Sequence, residues 1–272
     1  MGEKSVVIRL HVLMTAFVKD EMVVDSAIQQ FIYFLIGFAA GWASGMFGIG
    51  GGSIRTPLLY FAGLPLRTAF GINFIVIPLS SFTGAWTHRK NIVKEIGIWL
   101  IIFGVLGELL GAYHVGLISV KFLTIIYVVI CFVVAFGILR ERIFPLFVKT
   151  KQADKKTFAV FSFFVSYITG LRGGSGGQIF PALFKTLGME TRQSIATSLV
   201  VSIFTAFGAI PIYWARGDLV WLPAISVLIG SVTGARIGSK FSLKTKPIWL
   251  EIGLVLCTVI LALLVLIKGV FQ

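Results

Sequence analysis

The 272-residue chain is 57% hydrophobic and only 13% charged, with a mean hydropathy of +0.96. A soluble domain of this length needs more charge to cover its surface, and runs such as Ile96 to Leu117 are continuously apolar rather than alternating, which excludes a β-barrel. The net charge of +13 sits in short connections, the pattern of cytoplasmic loops in a polytopic α-helical membrane protein, and no nucleic-acid-binding module is visible.

In chain order, residues 1–27 carry charges throughout and lack a small-residue cleavage site after an apolar core. They do not read as a signal peptide; an amphipathic surface helix or a loose tail is expected. Residues 28–139 form a first transmembrane half: an apolar helix from Ile28 to Ser44, a glycine tract, a short segment from Ser53 to Ala62, and spans at Leu66–Trp86, Ile96–Leu117 and Lys121–Leu139. Residues 140–156, basic and Pro-containing, are expected as a cytoplasmic linker. The second half, 157–272, repeats the layout with Phe158–Thr169, a second glycine tract, Gln178–Leu187, Thr191–Trp214, Leu219–Ile237 and Pro247–Ile267. Cys131 and Cys257 both fall inside apolar helices and read as small buried hydrophobes.

The two glycine tracts are copies. Gly45, Gly48, Gly51 and Gly52 recur 125 positions later as Gly170, Gly173, Gly176 and Gly177. One residue is then deleted, so Pro57 matches Pro181, and the shift returns for Gly63/Gly188 and Arg67/Arg192. Further on, Gly107, Gly111 and Ala112 correspond to Gly230, Gly234 and Ala235, small residues at helical spacing that let helices pack closely in lipid. Loop charge sets the relation between the halves. Arg89, Lys90 and Lys94 follow the third segment of the first half, against Arg216 beside Asp218 in the second. The next loop reverses this, with Lys121 against Arg236, Lys240, Lys244 and Lys246. Basic loops belong to the cytoplasm, so the halves are expected to be inverted-topology repeats with both termini outside. The short glycine-flanking segments then count evenly, as a re-entrant pair or as two short crossings.

A run such as Gly50-Gly51-Gly52-Ser53 is costly as lipid-facing helix, and irregular backbone at membrane depth survives only where it is buried or lines a wet cavity. The free N–H groups and positive dipole end of the short helix after each tract would favour an anion. Candidate ligand contacts are therefore Gly50, Gly51, Gly52 and Ser53, with Ser175, Gly176, Gly177 and Gln178 in the second copy. Asn73 and Ser198 match at the same shift and sit about two turns into the next span, where they either line a cavity or bond helix to helix. Arg172 could grip an oxyanion with two parallel hydrogen bonds. For Arg55 that role and snorkelling to the interface stand open together. Glu108, with Ser231 at its repeat position, is the only carboxylate well inside a span and a candidate for carrying a coupling proton. Glu251 is expected to make a surface pair near Lys244 and Lys246. The three histidines are scattered and no metal-ligand spacing such as HExxH occurs, so neither a metal nor another cofactor is expected.

The duplicated tract, the two-half layout, the following proline and the later small-residue motif resemble the TauE/SafE family of membrane permeases, often called sulfite exporters, over roughly Ile32 to Leu266. The family motif falls on Gly48, Gly50, Gly51, Gly52 and Pro57, and on Gly173, Gly176, Gly177 and Pro181. The chain departs from it at Ser175 and in the shortened spacing to Pro181. The resemblance implies a multi-pass protein of the cytoplasmic membrane that moves a small sulfur-containing anion, such as sulfite, sulfoacetate or a related organosulfonate, with a proton as coupling ion; membrane lipid is a further expected partner, and the oligomeric state stays open. The sequence leaves open an anion channel and, at greater distance, a membrane enzyme acting on a lipid phosphate.

Overall fold

The computed structural model describes residues 26–114, 153–171, 177 and 179–270, with positions 122, 125, 128, 129, 132, 133, 135 and 136. The N-terminal tail, most of the basic linker and Cys131 lie outside the described residues, as does most of the expected Lys121–Leu139 span. The helices are α1 (Ser26–Phe47), α2 (Gly52–Phe61), α3 (Leu66–Thr87), α4 (Lys94–Tyr113), α5 (Lys155–Leu171), α6 (Phe180–Thr186), α7 (Thr191–Ala215), α8 (Trp221–Lys244) and α9 (Pro247–Val270). There is no strand among the described residues. Among the described residues five helices, α1, α3, α4, α7 and α8, are long and apolar enough to cross a membrane.

Two boundaries differ from the sequence expectation for physical reasons. Helix α8 runs to Lys244 rather than stopping at Ile237, so Arg236 and Lys240 are exposed helical residues and not loop. Their long stems let the charges leave the apolar zone without breaking the helix. Helix α6 begins at Phe180 because Pro181 occupies its first turn, where a missing N–H costs nothing. The one-residue deletion puts Pro181 there, whereas Pro57 lies inside α2.

Glycine sets how the helices meet. Gly37, Gly41 and Gly45 of α1 lie in turn against the backbone of Val227, Ser231 and Ala235 of α8, so these helices run side by side in one direction. A Cβ on Gly230 would stand 2.1 Å from the Phe34 carbonyl oxygen, and one on Gly234 2.2 Å from that of Phe38. The other pair repeats the device. A Cβ on Gly107 of α4 would meet the Phe163 oxygen of α5 at 2.2 Å, and one on Gly111 that of Tyr167 at 2.3 Å. Gly45 and Gly170, the first glycines of the two tracts, belong to these helix contacts and not to the turns that follow.

Helices α3 and α7 form the centre. Phe74 packs on Tyr213 with the rings tilted by 36° and 4.8 Å between centroids, while Gly84 faces Leu199, so the two helices run in opposite directions. Each short helix is wedged beside them in its own apolar cluster. Leu59 of α2 packs with Tyr33, Ile72 and Val227, and Phe180 and Phe184 of α6 with Phe158, Leu100 and Val201. At the helix starts, Glu190 and Gln193 make a capping box on α7. Asp154 accepts the Thr157 hydroxyl and, at 3.0 Å, the Thr157 N–H, bonds that hold its carboxyl below the usual range.

Candidate functional site

Helical backbone stops after Phe47, and the chain reverses through Gly48 (φ 75), Gly50 (φ 70) and Gly51 (φ 72) before α2 returns alongside α3. Left-handed backbone of this kind costs an ordinary L-residue about 1–2 kcal/mol per position. Gly51 has a second reason to be glycine: a Cβ there would lie 2.8 Å from the Ala40 oxygen and 3.0 Å from Arg55 Nη2. Gly52 is different. It is the first helical residue of α2, and a Cβ would press on the flexible end of Ile77 at 3.3 Å and touch Asn73 Nδ2 at an ordinary 3.7 Å. No side chain caps the start of α2, which leaves the N–H groups of its first turn without a capping acceptor. Ser53 occupies that turn.

Arg55, one turn further along α2, is completely buried and does not reach an interface. That overturns snorkelling and is the main thing the sequence did not settle. Its Nη1 donates to Asn73 Oδ1 at 3.0 Å and its Nη2 to Ser231 Oγ at 3.0 Å. Ser231 in turn donates to the Gly37 carbonyl at 2.9 Å. Asn73 Nδ2 donates to Thr56 Oγ1 and, at 3.4 Å, to the Gly52 carbonyl. Both partners of the guanidinium are neutral, and its Nε has no acceptor among the described residues. A buried cation without a counter-charge among the described residues is expensive at membrane depth.

The second tract approaches the first. Arg172, Gly173, Ser175, Gly176 and Gln178 lie outside the described residues, but Gly177 is buried against the opposite turn. A Cβ on Gly177 would meet Ser202 Oγ at 2.5 Å, Gly50 Cα at 3.2 Å and the Ile49 oxygen at 3.3 Å. Ser198, the repeat partner of Asn73, donates to the Gly48 carbonyl at 2.9 Å. Asn73 and Ser198 thus each hold the first glycine turn from a different half, and both are fully buried.

Glu108 stands on α4 against α5, fully buried, with Thr169 Oγ1 3.5 Å from its Oε2. Its repeat partner Ser231 contacts Arg55, so equivalent positions carry an acid in one half and a guanidinium-bound hydroxyl in the other. Arg192 donates to the Leu243 and Thr245 carbonyls at 3.0 and 3.2 Å and ties down the end of α8, while Arg67 is exposed. Glu251 pairs with Lys185 at 3.5 Å and accepts from Thr191 Oγ1 at 2.6 Å, not with Lys244 or Lys246 as expected. His114 lies beside Tyr167, 3.3 Å from its hydroxyl. Among the described residues, no group of His, Cys, Asp and Glu could hold a metal ion.

Comparison with known proteins places this geometry. The model of the family described as sulfite exporter TauE/SafE matches residues 33–265. A Bacillus subtilis (strain 168) relative named "Probable membrane transporter protein YdhB" is 28% identical over 242 residues, covering 85% of this chain and 98% of that protein. A Haemophilus influenzae "Probable membrane transporter protein" is 27% identical over 224 residues, 77% of this chain and 83% of the relative. The Methanocaldococcus jannaschii "Probable membrane transporter protein MJ0441" is 24% identical over 242 residues, 80% and 89% of the two chains. No solved structure matches the chain.

Proposed function

The chain belongs to the TauE/SafE family of membrane transporters, and from that premise we propose that it carries a small sulfur-containing oxyanion, such as sulfite or an organosulfonate, through the Arg55 pocket. The observation that carries this reading is the fully buried guanidinium whose described partners are the neutral Asn73 and Ser231. A planar fork with an unused Nε–H suits a three-oxygen anion, and the adjoining N–H groups of α2 add donors without adding charge.

Transport by alternating access of two inverted halves fits the packing. Equivalent helices α3 and α7 run in opposite directions, and α1 pairs with α8 as α4 pairs with α5. Opposed equivalent helices are what a pseudo-two-fold axis in the membrane plane requires. Arg89 and Lys90 at the end of α3 and Lys240 and Lys244 at the end of α8 share one face, which the charge rule assigns to the cytoplasm. Glu108, buried and matched to Ser231, is the group we assign to proton coupling; Gln178, Ser175, Gly176 and Arg172, outside the described residues, are proposed as further ligand contacts.

Purified protein in liposomes tests the reading. Sulfite uptake should saturate and be competed by related oxyanions; absence of both binding and uptake across sulfite, sulfoacetate, other sulfonates and small carboxylates would sink it.

A further inference from the structure

Helix α7 is fastened at both of its ends. At its start, Thr191 Oγ1 donates to Glu251 of α9 at 2.6 Å, and Glu251 also holds Lys185 of α6 at 3.5 Å. The next residue, Arg192, donates through Nη2 to the Leu243 and Thr245 carbonyls at the end of α8, at 3.0 and 3.2 Å. At its other end, Arg216 Nη2 donates to the Ala112 carbonyl in the last turn of α4 at 3.2 Å. With 25 residues, α7 is about 37 Å long, so these bonds lie at opposite ends of a span.

The targets match as well as the positions. Helices α4 and α8 correspond by glycine recurrence. In both, the guanidinium meets carbonyls at the helix end, which have no partner within the helix and carry the negative end of its dipole. Beside each arginine lies an apolar plug. Next to Arg192, Ile195 and Leu199 pack with Phe47, Ile49, Leu250 and Leu254. Arg216 lies over the Tyr213 ring, 5.9 Å from its centroid, and Tyr213 and Ala209 pack with Phe74, Ile77 and Ala112. With both plugs in place, Arg55, Asn73 and Ser198 at the glycine turn are fully buried.

Ser194, on α7 two residues past Arg192, is buried and its hydroxyl has no hydrogen-bond partner among the described residues. Buried polar atoms seldom go unpaired in native structures, and a second conformer in which this one meets water supplies the reason. We propose that α7 is a gate bolted at each end. The bonds of Arg192 and Glu251 close the mouth on the face that the charge rule assigns to the cytoplasm, and the bond of Arg216 closes the opposite mouth. Releasing one set opens that end alone. The proposal rests on membership of a transporter family and not on the identity of the anion.

Two reporters test it, Ser194→Cys and Ala209→Cys, at positions that are both 0% exposed, in protein whose native Cys131 and Cys257 are replaced by alanine. Labelling by a membrane-impermeant thiol reagent is followed on inside-out vesicles for Ser194→Cys and on whole cells for Ala209→Cys. Arg192→Gln should speed labelling of Ser194→Cys about tenfold or more and leave Ala209→Cys at its parent rate. Arg216→Gln should do the reverse. Parent-like labelling of the reporter at the released end overturns the proposal. So does faster labelling at both ends in either variant, which makes the arginines helix caps and nothing more. If Arg192→Gln fails to assemble, Glu251→Gln decides for that end, because it leaves an oxygen for Thr191 and removes only the charge that faces Lys185. Sulfite titration of the parent is a separate result: a parent that never binds sulfite removes the anion assigned above and leaves the gate standing.

Discussion

Arg55 Nη2 lies 3.0 Å from Ser231 Oγ, and that bond joins the short helix of the first half to a spanning helix of the second. The other arm of the guanidinium holds Asn73 of the first half. A single buried cation is thus fixed by both halves at once, and any relative shift of α8 against α2 and α3 must loosen one arm. An anion that pairs with the guanidinium could replace what such a shift removes, which links occupancy to the relative position of the halves.

Arg55→Gln should weaken sulfite binding about 100-fold or more, since charge-assisted bonds are worth roughly 1.5–3 kcal/mol each. Arg55→Lys should recover little, because an ammonium cannot reproduce the two-armed grip on Asn73 and Ser231 together with a third donor. Titration of solubilised protein with sulfite gives the answer; a lysine variant of near wild-type affinity would show that charge alone suffices.

Much of this fold was legible as sequence. The apolar runs and their breakers mark α1 to α9, while the two halves are a reading of glycine recurrence 125 positions apart. The site was legible only in part. Asn73 and Ser198 stand out because they share a repeat position, and both are buried at the first turn. Arg55 has no repeat partner, so the signal that found the others passed over it, and its burial depends on Ser231, 176 positions away. The end of α8 was misplaced because basic residues on a helix flank and in a loop look alike until exposure is known. Glu251 was assigned the wrong partner for a similar reason: Lys185 comes near it only through packing of α6 against α9.

Gly51→Ala and Gly52→Ala should part company. At Gly51 an alanine adopts φ near 72° and meets the Ala40 oxygen at 2.8 Å, so the left-handed penalty of about 1–2 kcal/mol adds to a backbone clash. At Gly52 the backbone is helical and only the Ile77 methyl must yield. Thermal unfolding and sulfite titration of both variants should show Gly51→Ala destabilised and without affinity, and Gly52→Ala close to wild type. Equal behaviour would remove the turn geometry from the account.

Glu108→Gln keeps the shape of the side chain beside Thr169 and removes its proton exchange. Sulfite uptake should then lose its response to an imposed proton gradient while equilibrium binding, made by Arg55 on a different helix, stays within about threefold. Liposomes with and without the gradient separate the two. Continued acceleration by the gradient would release Glu108 from the coupling role and leave it as a packing residue between α4 and α5.

The arrangement of the halves has its own test at Lys90 and Arg216. Lys90 lies in the turn between α3 and α4, and Arg216 at the end of α7 before α8, so both are the exposed links that follow the central helix of their half. In a parallel repeat they would share a face. With α3 and α7 opposed, as the Phe74–Tyr213 and Gly84–Leu199 contacts have them, they must face opposite sides. The only native cysteines are Cys131 and Cys257, so replacing both by alanine gives a background for single cysteines at either position. A membrane-impermeant thiol reagent added to whole cells should label Arg216→Cys, on the face the charge rule puts outside, and reach Lys90→Cys only after the membrane is opened. Labelling of both from one side would mean that the halves are not inverted, and alternating access would then need a different axis.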